Sequence, residues 1–230
     1  MTQPLLSISS LSSGYDSNRI IENISFDIKS GEIFGLIGLN GVGKTTLIKT
    51  ILGLRRKEEG DLSIDKDKVS YLPERFEPPW FLSGYNFVRF SLKLYGKDFS
   101  MEQAEEAAQK ISLDPAFLEK NVYTYSKGMR QKLGLLATML TGCPLLILDE
   151  PMSGLDPKAR LEVKHMIKDA KAEGRSVFMS SHILADISEL CDRVAVLHNK
   201  AIIFLGTPAE LQKRGQNDNL EEAFLNILEK

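Results

Sequence analysis

The sequence predicts an α/β fold: a mixed, largely parallel sheet with an antiparallel β subdomain and an inserted helical subdomain. Three observations predict it. Short apolar runs alternate with helix-signalled segments over most of the chain. An apolar run at residues 33–37 passes through a glycine-rich loop directly into a helix. Between residues 76 and 140 the pattern turns mainly helical before strand signals return.

Taken in order, residues 6–10 and 24–28 alternate apolar and polar side chains, as half-buried antiparallel strands do. Lys29-Ser30-Gly31-Glu32 makes the turn into the strand at 33–37. A helix over 45–52 follows, with Gly53 at its C-cap. Residues 61–71 read as short strand material. Helices are expected over 86–95, over 100–111 behind the capping pattern Ser100-x-x-Gln103, and over 126–140. Thr141-Gly142-Cys143-Pro144 ends the last of these, and strands follow at 145–148, 177–180, 194–197 and 201–205. Between them, helices begin at Asp156-Pro157, ending at Gly174, and at Thr207-Pro208-x-Glu210. A final helix over 219–229 carries Leu220, Phe224, Ile227 and Leu228 on one stripe, expected to pack on the core. The expected organisation is one domain over 1–230, with a core of about 1–75 and 141–230 and a helical subdomain of about 76–140.

Composition narrows the function classes. The 230 residues are 43% hydrophobic with a net charge of −2, so no basic excess points to nucleic acid or to an anionic membrane surface. Cys143 and Cys191 are too few for a disulfide framework or a zinc site and fit a reducing cytosol. The uncharged run 133–148 falls short of the roughly 20 apolar residues of a membrane span and is broken at Gly142.

Gly38-Leu39-Asn40-Gly41-Val42-Gly43-Lys44-Thr45 matches the phosphate-binding loop G-x-x-x-x-G-K-[ST], and it lies between a strand and a helix. The glycines let backbone N–H groups wrap an anion, and the positive end of the following helix faces that charge. The core is therefore read as a P-loop NTPase core that handles a nucleoside triphosphate with Mg²⁺, and the loop alone does not say which enzyme this is. Asn40, Gly41, Gly43, Lys44, Thr45 and Thr46 are the expected phosphate-binding set, with Lys44 bridging the β- and γ-phosphates and the Thr45 hydroxyl on the metal.

Pro144-Leu145-Leu146-Ile147-Leu148-Asp149-Glu150 is a continuous apolar run, which suggests a strand buried on both faces, ending in two carboxylates. A lone Asp-Glu often only caps a strand. With the phosphate loop upstream, Asp149 is read as a Mg²⁺ ligand and Glu150 as the general base that polarises the attacking water.

These elements and five others resemble the ATP-binding-cassette ATPases. Tyr125-Ser126-Lys127-Gly128-Met129-Arg130-Gln131 looks like a variant of the family's signature motif LSGGQ. Ser153-Gly154-Leu155-Asp156 resembles its D-loop, and Ser180-Ser181-His182 its switch histidine. Tyr15, upstream of Gly38, matches the aromatic that stacks on adenine, and Glu74 in Tyr71-Leu72-Pro73-Glu74 takes the place of the Q-loop glutamine. The resemblance implies that Ser126 and Gly128 face the γ-phosphate held by an opposite subunit, in a head-to-tail dimer with two ATP at the interface. It implies that His182 hydrogen-bonds the γ-phosphate, and that Glu74 ligates Mg²⁺ through oxygen. His165 and His198 are expected to stand outside the chemistry.

The combination of YSKGM with YLPE looks like the type-2 exporter branch of the family. The expected function is the ATP-hydrolysing subunit of a membrane exporter, which drives a separate membrane-spanning permease and is held on the inner face of the membrane through it. An importer ATPase is the near alternative, and a soluble cassette ATPase the more distant one. No nucleic-acid partner is expected. The stretch between Gly53 and Tyr71 is short for the family, a trimmed edge expected to stay clear of the nucleotide site. Residues 76–82, Phe-Glu-Pro-Pro-Trp-Phe-Leu, concentrate large apolar side chains where prolines forbid a regular helix, as either the hinge core of the helical subdomain or an exposed patch; the resemblance implies that Trp80 or its neighbours line the groove that receives a helix of the membrane subunit.

Overall fold

The computed structural model describes residues 4–15 and 18–229. The hairpin of β1 (Leu6–Tyr15) and β2 (Asn18–Ile28) comes first, and β3 (Ile33–Ile37) leads through the glycine loop into α1 (Lys44–Ile51). β4 (Glu59–Ile64) returns to the hairpin, and a 3₁₀ turn at Lys66–Lys68 carries the chain to β5 (Val69–Leu72). Three helices follow, α2 (Gly84–Leu94), α3 (Met101–Lys110) and α4 (Lys127–Leu140). The remainder alternates: β6 (Leu145–Asp149), α5 (Pro157–Ala172), β7 (Ser176–Ser181), α6 (Leu184–Leu190), β8 (Arg193–His198), β9 (Ala201–Gly206), α7 (Pro208–Gly215) and α8 (Leu220–Leu228).

Two sheets result. β2, β1 and β4 form an antiparallel sheet in that order, and the larger sheet runs β5-β6-β7-β3-β8-β9, parallel except for β9. Every residue of β3 and β6 is buried, as a parallel sheet covered on both faces requires. Parallel strands bring their C-terminal ends to one edge, so the glycine loop after β3, Asp149 at the end of β6 and His182 after β7 emerge side by side.

Apolar side chains fill three regions. Between the two sheets, Phe34 and Phe26 stack at 5.0 Å and Phe178 meets Phe34 edge-on at 5.9 Å, with Leu47 and Ile48 of α1 against them. On the opposite face, Leu146, Val177 and Met179 meet Val163 and Ile167 of α5 and the α8 stripe Leu220, Phe224 and Ile227. The third region joins α2, α3 and α4 through Val88, Ala104, Ala108, Leu133 and Leu136. α4 serves both sides, because Leu135 points into the sheet core while Leu133 and Leu136 point among the helices.

The helix signals act as expected. Ser100 Oγ accepts from the Gln103 N–H at 3.3 Å, Asp156 from the Ala159 N–H at 3.0 Å, and Thr207 with Glu210 closes a capping box. The hairpin is longer than its alternation suggests. β1 continues through Ser12 and Ser13 by register shifts, with their buried hydroxyls bonded to the Asn23 N–H at 3.0 Å and the Arg56 carbonyl at 2.9 Å. Such bulges break the period that betrays a strand. The stretch 61–71 divides between both sheets. α6 was not expected, because it is short and no side chain caps its start.

Candidate functional site

The glycine loop takes the shape that its sequence permits. Gly43, the N-cap of α1, sits at φ 114°, and a Cβ there would come within 2.9 Å of Ile20 Cγ2. Only glycine satisfies both conditions. Asn40 and Gly41 are exposed at the turn, Thr45 is half-buried and Thr46 buried. The buried Lys44 extends back along the loop, donating to the Gly38 carbonyl at 2.8 Å and the Leu39 carbonyl at 3.4 Å. Its ammonium also stands 3.3 Å from Glu150 Oε1, an ion pair without hydrogen-bond alignment.

Strand pairing sets the acids. Asp149 lies opposite Ser180 in the β6–β7 register, and the Ser180 hydroxyl donates to Asp149 Oδ1 at 2.6 Å while accepting the Glu150 N–H at 2.9 Å. One serine thereby orients both acidic residues. Asp149 is fully buried, and burial pushes its carboxyl above the ordinary range, with the nearby hydroxyls of Ser180 and Thr45 pulling the other way. Its Oδ2 has no hydrogen-bond partner. Glu150 sits at φ 50°, a left-handed backbone that a non-glycine residue adopts at a cost, and its Oε2 lies 2.8 Å from His182 Nδ1.

A pocket of about 310 Å³ gathers Tyr15, Ile20, Asn40, Gly41, Gly43, Lys44, Thr45, Thr46, Glu74 and Glu150 on its wall. Glu74 is exposed at the rim, and its charge contributes to raising the Asp149 carboxyl. His182 joins this group through Glu150. Ser126 and Gly128 do not: Ser126 is exposed at the N-cap of α4, accepting the Met129 N–H at 3.2 Å, and neither residue lines the pocket. Among the described residues no cluster of three or more His, Cys, Asp or Glu could hold a metal ion unaided. Mg²⁺ characteristically takes one or two carboxylates and completes its shell from phosphate and water, and a buried carboxylate oxygen without a partner beside Thr45 suits it.

Two residues here were not anticipated from sequence. Ser180 stands in the histidine motif, which signals no role for it, and Arg55 carries no sequence signal at all. The short stretch after Gly53, expected to stay clear of the site, in fact places the Arg55 guanidinium over the Tyr15 ring, 3.3 Å from its centroid. The apolar segment 76–82 divides: Phe76 packs edge-on against Phe87 at 5.4 Å, whereas Trp80 and Phe81 are 69% and 63% exposed. Among the described residues no helix is long and apolar enough to cross a membrane.

Comparison with known proteins gives the family. The family model described as "ABC transporter" matches residues 21–153. The ABC transporter ATP-binding protein YdbJ of Bacillus subtilis is 34% identical, over 99% of this chain and 75% of its own length. A fluoroquinolones export ATP-binding protein of Mycobacterium tuberculosis is 36% identical, over 84% of this chain and 66% of its own. A solved ATP-binding subunit of an ABC transporter superposes with a TM-score of 0.88 at 31% identity, covering 97% of this chain and 99% of that one. With the family model matched over more than half of its length and these relatives covered over most of theirs, the chain belongs to the ABC transporter ATP-binding family.

Proposed function

We propose that this chain is the ATP-hydrolysing subunit of a type-2 ABC exporter, in which ATP closes a head-to-tail dimer and hydrolysis reopens it to drive a separate permease. The observation that carries the hydrolytic reading is Glu150, set at the pocket wall between Lys44 and His182. The loop N–H groups and Lys44 bind the phosphates, and Tyr15 stacks on adenine. Thr45, Asp149 and Glu74 would hold Mg²⁺, which when bound supplies charge neutralisation to the β- and γ-phosphate oxygens. Glu150 takes the proton of the attacking water, and His182 holds its carboxylate in place and reaches the γ-phosphate.

Ser126 and Gly128 act across the dimer, which suits the exposed Ser126 and the half-buried Gly128, neither of which lines their own pocket. In this reading residues 76–140 move as the signature-bearing lobe on a core of 1–75 and 141–230, and Trp80 with Phe81 receives the permease. The chain then sits on the inner face of the membrane through that partner. Export is favoured over import by the YSKGM and YLPE sequences and by the similarity to a fluoroquinolones export protein. The test is capture from a detergent extract followed by identification of what comes down. A six-helix membrane protein whose presence stimulates ATP hydrolysis supports the exporter; an importer permease with a substrate-binding protein, or ribosomes, overturns it.

A further inference from the structure

Tyr15 is half exposed and lines the pocket of Lys44, Thr45 and Glu150. Arg55 lines a different, open recess with Gly14, Leu54, Arg56 and Glu58. The guanidinium lies over the Tyr15 ring, yet Arg55 lines the second recess and not the pocket, and Tyr15 lines the pocket and not the recess.

The loop that delivers Arg55 is tied at several points. Gly53 turns at φ 73° just past α1, and the Arg55 N–H bonds back to the Lys49 carbonyl at 3.1 Å. The next residues are tied to β1, Arg56 through its carbonyl to Ser13 Oγ at 2.9 Å and Glu58 through its N–H to the Ser12 carbonyl at 2.8 Å. Tyr15 ends that same strand, so backbone bonds hold the main chain of both residues in place. The nearby carboxylates do not compete, because Arg19 holds Glu58 at 3.1 Å and Glu59 at 2.5 Å.

We propose that Arg55 is a positioning residue for the nucleotide base: it clamps Tyr15 from behind so that a purine stacks on the front face. Two physical effects support this role. A planar cation over the ring restricts an otherwise mobile, half-exposed side chain, which lowers the ordering cost when the base arrives. It also draws π-density to the rear face, leaving the front face less negative toward an electron-rich purine. The inference rests on the reading that Tyr15 stacks on adenine, and the experiment separates the two.

Calorimetry on the full chain would give Kd for Mg·ATP and for Mg·tripolyphosphate, which carries the phosphates without a base. The variants are Arg55→Gln, Arg55→Lys, Tyr15→Leu and the double Tyr15→Leu/Arg55→Gln. Arg55→Gln should weaken ATP about two- to fivefold, the range of an exposed cation–π contact, and Arg55→Lys less. Tripolyphosphate binding should not move, and in the Tyr15→Leu background Arg55→Gln should cost nothing further. Equal loss on tripolyphosphate, equal loss without Tyr15, or no loss on ATP each overturns the role. If Tyr15→Leu itself leaves ATP affinity unchanged, the stacking reading fails and this inference with it. If Tyr15→Leu weakens ATP and neither Arg55 variant does, only this inference fails.

Discussion

Glu150 Oε2 and His182 Nδ1 stand 2.8 Å apart although 31 residues of chain separate them, because β6 and β7 are neighbours in register and end together. The histidine and the carboxylate are thus a pre-formed pair. Lys44 meets the other carboxylate oxygen at 3.3 Å, so both ends of Glu150 are held.

Glu150→Gln keeps the shape of the side chain and removes the base. ATP binding should persist while turnover falls on the order of 10² to 10⁴, the usual cost of losing a general base. Steady-state hydrolysis together with sizing chromatography in ATP and Mg²⁺ checks both parts, the second by accumulation of dimer. Turnover at half the parent rate would show that another group takes the proton.

Lys44 lines the pocket and Ser126 does not, so their joint action on one ATP requires two chains. Mixed Lys44→Ala and Ser126→Ala proteins should recover some activity, since one composite site carries both lesions and the other neither. Each variant alone should be inactive. Mixed dimers that form, as shown by tagged pull-down, yet stay inactive would sink the shared site.

Burial raises the Asp149 carboxyl above its unfolded value, so the folded chain without metal holds this proton to higher pH than the unfolded chain does. As pH rises from the ordinary carboxylate range through the raised value, the unfolded state gives up the proton first and stability falls. Asp149→Asn removes that penalty. Metal-free Asp149→Asn protein should therefore melt higher than the parent at neutral pH, and the difference should shrink on acidification. In the parent, Mg·ATP should raise the melting temperature beyond ATP with chelator; in the variant this metal-dependent increment should be lost. A variant that melts lower at pH 7 and keeps the increment would contradict both the charge assignment and the ligand role.

Asp186, in the first turn of the uncapped helix α6, is buried, accepts from Arg160 at 2.7 Å and forms an ion pair with Lys164 at 2.9 Å, both on α5. Breaking a buried pair costs roughly 3–5 kcal/mol. Because Arg160 and Lys164 remain 30% and 15% exposed, Asp186→Ala should fall at or below the lower end. Denaturant melts read this directly. A change within experimental error would mean that water satisfies these groups equally well.

Trp80, the only tryptophan, is 69% exposed and stands edge-on to Phe81 at 5.9 Å. Its backbone is fixed, since its carbonyl accepts the Tyr123 N–H at 3.1 Å. Emission of the isolated chain should be that of a solvated indole and shift to shorter wavelength when the permease binds. An unchanged spectrum in a purified complex would place the docking surface elsewhere.

Much of the fold was legible because its signals are local. The runs 33–37 and 145–148 read as strands from apolarity alone, and Ser100, Asp156 and Thr207 marked helix starts by hydrogen bonds made within one turn. The spacing of glycines before Lys44 is likewise a property of a single loop. The far ends of β1 and β2 and the helix α6 were not legible, since bulges and tertiary ion pairs hold them and neither leaves a period in the chain.

The sequence by itself determined which chemical groups are present and in what order: a phosphate loop, two acids after an apolar run, a serine-led helix, a late histidine. Which of them share a pocket was decided only by tertiary structure. Parallel pairing aligned the ends of β3, β6 and β7, and with them Lys44, Glu150 and His182, while the same fold turned Ser126 outward. Arg55 over Tyr15 and Ser180 between Asp149 and Glu150 belong wholly to this second category. These contacts join residues far apart in the chain, and only the packing of sheet on sheet and strand on strand sets such distances.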